Sequence, residues 1–155
     1  MPAATASPAA NEPIDQAQRD RIVNERNDTL FVEAGAGSGK TKALVDRVEA
    51  LILLDQVPME EIAAITFTEK AAAELRDRIR QRLEDAAGSD DPVRSAAATK
   101  ALDQLDGAAV GTLHSFAQRI LNEHPVEAGL PPGVDVLDEI GSQIEFESHW
   151  HQFLD

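Results

Sequence analysis

Three glycines in five positions, Gly35, Gly37 and Gly39, run directly into Lys40 and Thr41. These residue types at this spacing suit the holding of phosphate. A row of phosphates carries dense negative charge, and a backbone grips it by bringing several N–H groups close. Side chains would obstruct that approach, and glycine also tolerates φ > 0. Lys40 would reach β- and γ-phosphates, and the Thr41 hydroxyl would ligate Mg²⁺. The whole candidate loop is Ala34, Gly35, Ala36, Gly37, Ser38, Gly39, Lys40 and Thr41. The phosphate-loop pattern asks for glycine at its first position, and Ala34 is small enough to keep the turn. A glycine-rich turn that binds nothing is the plain alternative. The Lys-Thr pair, set between a strand pattern and a helix pattern, weighs against it.

Such a loop must be presented by a strand before it and a helix after it. Thr29-Leu30-Phe31-Val32 is β-branched and apolar, suited to a buried parallel strand. KTKALVDRVEALILL is helical, with Leu44, Val48, Leu51 and Ile52 on one face. Its first turn offers unpaired N–H groups and the positive end of the helix dipole. Upstream, IDQAQRDRIVNER reads as a helix with Asp15 as N-cap and Ile14, Gln18 and Ile22 along one face. Asn27-Asp28 turns the chain into the first strand. Gln18 could read an adenine edge, because its amide both donates and accepts.

Further along, Ile62–Thr68 is a second strand pattern, and EKAAAELRDRIRQRLEDAA a long helix with Ala71, Leu75, Ile79 and Leu83 in a stripe. Gly88–Pro92 makes an acidic loop, residues 93–106 another helix with an alanine-rich middle, and Ala108–Leu113 a third strand. The helix HSFAQRILNEH stops at Pro125, and GLPPG forms a turn. Strands alternating with helices predict an α/β fold, a parallel sheet covered by helices on both faces. Ligands of open sheets gather at the carboxyl ends of strands. Glu33-Ala34, Thr66-Phe67-Thr68 and Thr112-Leu113-His114 all fall there.

The chain of 155 residues, lacking cysteine, fits one domain with a real core and excludes disulfides and thiolate metal sites. It has no apolar run long enough to span a membrane and no secretory leader pattern, which points to a cytoplasmic protein. Its net charge of −14 opposes nonspecific nucleic-acid binding by bulk electrostatics, so any such contact must be local. Residues 1–13, rich in Ala, Pro and Ser, read as a disordered tail.

Phe67 between two hydroxyls could stack on a base while Thr66 and Thr68 contact phosphates. Packed inside, with the threonines merely capping a helix, is the commoner role for such residues. His114, with Ser115 beside it, could contact phosphate or relay a conformational change; a histidine satisfied by backbone is the plain alternative. His124, His149 and His151 have no partners at metal spacing. Val136-Leu137-Asp138-Glu139 invites reading as an acidic Mg²⁺-holding strand end, but its apolar lead is too short to support that.

Together these stretches resemble the UvrD/Rep superfamily-one DNA helicases. IDQAQRDRI is similar to the family's Q motif, AGAGSGKT to motif I, AAITFTEKAAAELRDRI to motif Ia and VGTLHSFAQRIL to motif Ib. AGLPPGVDVLDE is more similar to RecB/AddA-type helicase–nucleases. The resemblance implies a P-loop (RecA-like) fold and an ATP-driven motor moving three-prime to five-prime on single-stranded DNA from duplex ends. Its cofactors would be ATP and Mg²⁺, and a further partner would be a second helicase–nuclease subunit. By position, Gln18 would contact adenine and Ala34 to Thr41 the phosphates and Mg²⁺. Thr66, Phe67, Thr68, Thr112, His114 and Ser115 would lie along the DNA.

The family's acidic Asp-Glu motif, its γ-phosphate-sensing glutamine and arginines, and its second motor domain have no counterpart in this sequence. The expectation is an N-terminal piece of a larger protein. Residues 14–125 would be an incomplete first motor domain and 126–155 the start of an inserted helical subdomain, the piece alone hydrolysing ATP negligibly. A different phosphate-loop enzyme, such as a small-molecule kinase, and a degenerate nucleotide-binding scaffold are the alternatives.

Overall fold

The computed structural model describes residues 14–131, 137 and 139–154. The tail expected at residues 1–13 lies outside them, as do Val136 and Asp138 of the acidic run. The helices are α1 (Gln16–Asn24), α2 (Lys40–Leu53), α3 (Glu69–Ala87), α4 (Pro92–Gln104), α5 (Leu113–Glu123) and α6 (Glu139–Leu154). Among the described residues two strands, β1 (Ala63–Thr66) and β2 (Ala109–Thr112), stand between them. The chain forms two compact units that divide between Leu113 and His114.

In the first unit β1 and β2 pair in parallel, Thr66 opposite Thr112 at the carboxyl ends. The connection through α3 and α4 is the long crossover that parallel strands require. Ala64 and Val110 point into a core built with Leu75, Ile79 and Leu83 of α3 and Val45, Val48 and Ile52 of α2. Met59 and Leu105, each in a 3-10 turn leading toward a strand, are completely buried. The alanines of α4 have a clear use: Ala98 and Ala101 are buried in the same cluster, where small side chains allow α4 to lie close.

The long helix keeps its predicted bounds, but its stripe begins one residue later. Ala72, not Ala71, is buried, followed by Leu75, Ile79, Leu83 and Ala86. Mixed steps of three and four follow the 3.6-residue turn better than a strict i, i+4 row. Thr68 caps α3 by accepting from the Ala71 N–H at 3.2 Å. Asp91 caps α4, accepting from Val93 at 2.9 Å, with Pro92 at the first helical position. On α2 the buried face is Val45, Val48, Ala50, Ile52 and Leu53, while Leu44 is exposed.

Two expectations about the sheet are corrected. Thr29–Val32 forms no ladder among the described residues, and Phe31 is 94% exposed. A buried parallel strand needs neighbours on its edges, and among the described residues β1 and β2 pair only with each other. Among the described residues of the first unit, the sheet is also covered on one face rather than two. Residues alternate in β1, with Ala64 buried and Ile65 39% exposed. The described chain is thus helix-rich with a small parallel α/β core.

The second unit contains α5 from His114 onward and α6. Along α6, Phe146 stacks on Trp150 and Trp150 on Phe153, with ring centres 6.3 and 5.9 Å apart. Among the described residues no helix is long and apolar enough to cross a membrane.

Candidate functional site

The glycine loop opens α2 as its residue types require. Gly37 and Gly39 hold φ of +75° and +88°, a conformation costly for any residue with a Cβ. Gly39 is the N-cap of α2 and brings no side chain to the first-turn N–H groups, which therefore remain available to an anion. A Cβ added at Gly35 or Gly37 would meet no protein atom within 4 Å. Glycine at these two positions leaves open space over the loop.

Lys40 folds back over the loop, its Nζ donating to the carbonyls of Ala34 at 2.6 Å and Gly35 at 2.7 Å. Ser38 closes the turn by donating from Oγ to the Gly35 carbonyl at 2.8 Å. Ala36 and Thr41 are exposed. The ammonium is thus parked on loop carbonyls at the mouth of the helix, and an incoming phosphate would offer it stronger acceptors.

Helix α1 flanks this loop. Gln18 is exposed on it, and the next residue, Arg19, donates from Nη2 to the Ser38 carbonyl at 2.8 Å. Asp15 does not cap α1 with its side chain. Its carboxylate instead takes Arg19 Nε at 3.0 Å and Nη2 at 2.8 Å. That pairing holds the Asp15 carboxyl below the usual aspartate range and raises Arg19. Arg47 of α2 donates to the carbonyls of Ile22, Glu25, Arg26 and Asp28, fixing the segment after α1 against α2. Arg19 and Arg47 were not anticipated as supports of the loop. The bonds by which they do so end on backbone carbonyls, which carry no residue identity.

The two strand tips lie side by side in the same unit. Phe67 follows β1 and is 92% exposed, so it is not part of the core. The residues on either side are engaged with the protein. Thr66 Oγ1 donates to the Thr68 carbonyl at 3.1 Å, and Thr68 Oγ1 accepts the α3 cap while keeping its own proton. Thr112 differs from expectation in exposure: it is 5% exposed and donates to Glu69 at 3.1 Å. Its neighbour across the sheet, Thr66, is half-buried. His114 and Ser115 are exposed at the start of the second unit. Among the described residues no cluster of His, Asp or Glu could hold a metal ion.

A sequence profile for the UvrD/REP helicase N-terminal domain matches residues 14–153. DNA helicase II of Haemophilus influenzae is 39% identical over 125 residues, which are 81% of this chain and 15% of that protein. DNA helicase II of Escherichia coli is 37% identical over the same length. An ATP-dependent helicase/nuclease subunit of Limosilactobacillus fermentum is 33% identical over 147 residues, 89% of this chain and 10% of that protein. The chain therefore spans about a seventh or less of these relatives. A left-handed glycine loop opening a helix, exposed Phe67 at a parallel strand tip and a match from residue 14 to residue 153 agree: this chain belongs to the UvrD/REP helicase N-terminal domain family.

Proposed function

We propose that this chain is the N-terminal, ATP-binding part of an ATP-dependent DNA helicase that moves three-prime to five-prime on single-stranded DNA in repair or recombination. The observation that supports it most is the loop from Ala34 to Thr41, with left-handed Gly37 and Gly39 feeding the exposed start of α2. In this reading residues 14–125 are part of a P-loop, RecA-like motor domain and 126–155 begin an inserted helical subdomain. The longer protein works in the cytoplasm.

The residues fit a triphosphate with Mg²⁺. Gly35 and Gly37 leave the approach to the backbone open, Gly39 brings no side chain to the first turn of α2, Lys40 supplies a cation, and Thr41 offers an exposed hydroxyl to Mg²⁺. Gln18 stands ready for an adenine edge. When bound, ATP with Mg²⁺ supplies a phosphoryl group for transfer to water. The chain's own part is to bind and orient the phosphates. Phe67, with Thr66, Thr68 and Thr112 at the strand tips of the first unit, takes single-stranded DNA at duplex ends, and His114 and Ser115 are DNA contacts contributed by the second unit. Thr112 contributes there by supporting the tip, since its hydroxyl is buried.

A more particular reading, one half of a helicase–nuclease that works with a second subunit, is favoured by the longer match to the helicase/nuclease relative. The test is ATPase and unwinding by the full-length protein. DNA-stimulated hydrolysis and unwinding, both lost in Lys40→Ala, is the expected result. Phosphorylation of a small molecule without DNA stimulation would establish the kinase reading instead. Equal behaviour of Lys40→Ala and the parent would leave only a scaffold.

A further inference from the structure

We infer that Arg19 is a positioning residue for the phosphate loop, aimed by Asp15 and latched onto the Ser38 carbonyl so as to set the direction of the Gly39 N–H. The inference rests on the reading of Ala34–Thr41 as a phosphate loop.

The peptide bond between Ser38 and Gly39 is planar and trans, so its C=O and N–H point in opposite directions. Arg19 Nη2 holds the carbonyl at 2.8 Å. The Gly39 N–H is thereby turned away from α1, and it has no acceptor among the described residues. It is the last loop donor before α2 begins at Lys40, where a phosphate cradle needs a fixed N–H. Glycine on both sides of Ser38 makes this peptide easy to rotate, since Gly37 and Gly39 tolerate either sign of φ. A flexible turn that must present one N–H in one direction needs an external hold.

Arg19 is built for that hold. One Nη2 hydrogen reaches Asp15 Oδ2 and the other the Ser38 carbonyl, while Nε reaches Asp15 Oδ1. The two-point pairing fixes the plane of the guanidinium, which a lysine could not reproduce. The guanidinium also lies against Gly39: a Cβ there would stand 3.2 Å from Arg19 Nη1. Helix α1 is therefore more than a carrier for Gln18. It fixes the loop's peptide plane from behind.

The test uses the full-length protein, with affinity for a fluorescent ATP analogue, KM for ATP, and nucleotide-free affinity for single-stranded DNA as readouts. Arg19→Ala is expected to weaken nucleotide binding roughly tenfold and raise KM by a similar factor, leaving single-strand affinity within about twofold. Asp15→Asn, which keeps the Arg19 charge but loosens its aim, should act in the same direction and more weakly. The double variant should be no worse than Arg19→Ala alone, because both changes break one latch. Arg19→Lys equal to the parent would reduce Arg19 to a charge and overturn the latch. So would additive effects, equal losses of nucleotide and DNA affinity, or no effect where Lys40→Ala abolishes nucleotide binding. Unchanged nucleotide affinity in Lys40→Ala would instead overturn the phosphate-loop reading itself.

Discussion

The buried hydroxyl of Thr112 donates to the Glu69 carboxylate at 3.1 Å, tying the end of β2 to the first turn of α3. Glu69 follows the Thr68 cap, where the helix dipole favours an anion. The exposed ring of Phe67 is therefore carried on a turn anchored on both sides. Thr66 and Thr68 close it on the β1 side, and Glu69 fastens it to the neighbouring strand. Thr112→Val keeps the shape but removes the donor. It should cost about 1 kcal/mol and speed amide exchange in β2 and the start of α3 of the full-length protein. Thr112→Ser should restore protection. Unchanged exchange in Thr112→Val would show that the bond contributes nothing.

In the proposed function, Lys40 leaves two carbonyls to meet the nucleotide. Lys40→Ala removes the cation proposed to stabilise charge on transferring phosphates, so kcat for ATP hydrolysis should fall about 10²-fold or more. Folding should be little affected, since the side chain is exposed. Steady-state ATPase with saturating single-stranded DNA measures it; a loss below tenfold would contradict the assigned role.

The local patterns were the legible part of this sequence. Helix α3 keeps its predicted ends because a cap, a periodic stripe and a terminal glycine all act within a few residues. The juxtaposition of Thr66 and Thr112 follows from parallel pairing of two short apolar runs. Thr29–Val32 read the same way but shows no ladder, because pairing depends on neighbours elsewhere in a chain. The supports of the site were hidden for another reason. Arg19 reaches a carbonyl 19 residues away and Arg47 four carbonyls, and an acceptor on the backbone leaves no mark in the residue type.

Phe67 offers a nearly fully exposed aromatic face with no core function. Phe67→Ala should leave the unfolding midpoint unchanged. Base–aromatic stacking is worth about 1–3 kcal/mol per base, so single-strand affinity should fall roughly 5- to 150-fold and ATPase should uncouple from unwinding. Titration of a labelled oligonucleotide and an unwinding assay check both parts. Unwinding equal to the parent would remove Phe67 from the proposed DNA-binding side.

Leu75 of α3 is 1% exposed and belongs to the core cluster that joins residues of α2, α3, α4 and both strands. Leu75→Ala leaves a cavity that rigid neighbours cannot fill, at a cost of about 2–5 kcal/mol. Ala71→Leu, one turn away on the exposed side, should cost little. The pair of variants discriminates the observed stripe from one that starts at Ala71, by denaturant unfolding of the full-length protein. Equal costs would contradict the packing.

Asp55 takes a two-point hydrogen bond from Arg26, linking the segment after α1 to the end of α2. The arginine holds the Asp55 carboxyl below the usual aspartate value of about 3.9. A depressed folded pKa means that the pair's contribution is fully present above the unfolded value and disappears as pH falls through the folded one. Asp55→Asn should therefore lower the unfolding midpoint by a constant, small amount from about pH 5 to pH 8, since the Asp55 carboxylate is exposed to solvent. Below about pH 4 the difference from the parent should shrink toward zero, because protonation removes the same charge that the substitution removes. Salt should narrow the gap at neutral pH. A difference that grows on acidification would mean that Asp55 acts through something other than its charge on Arg26.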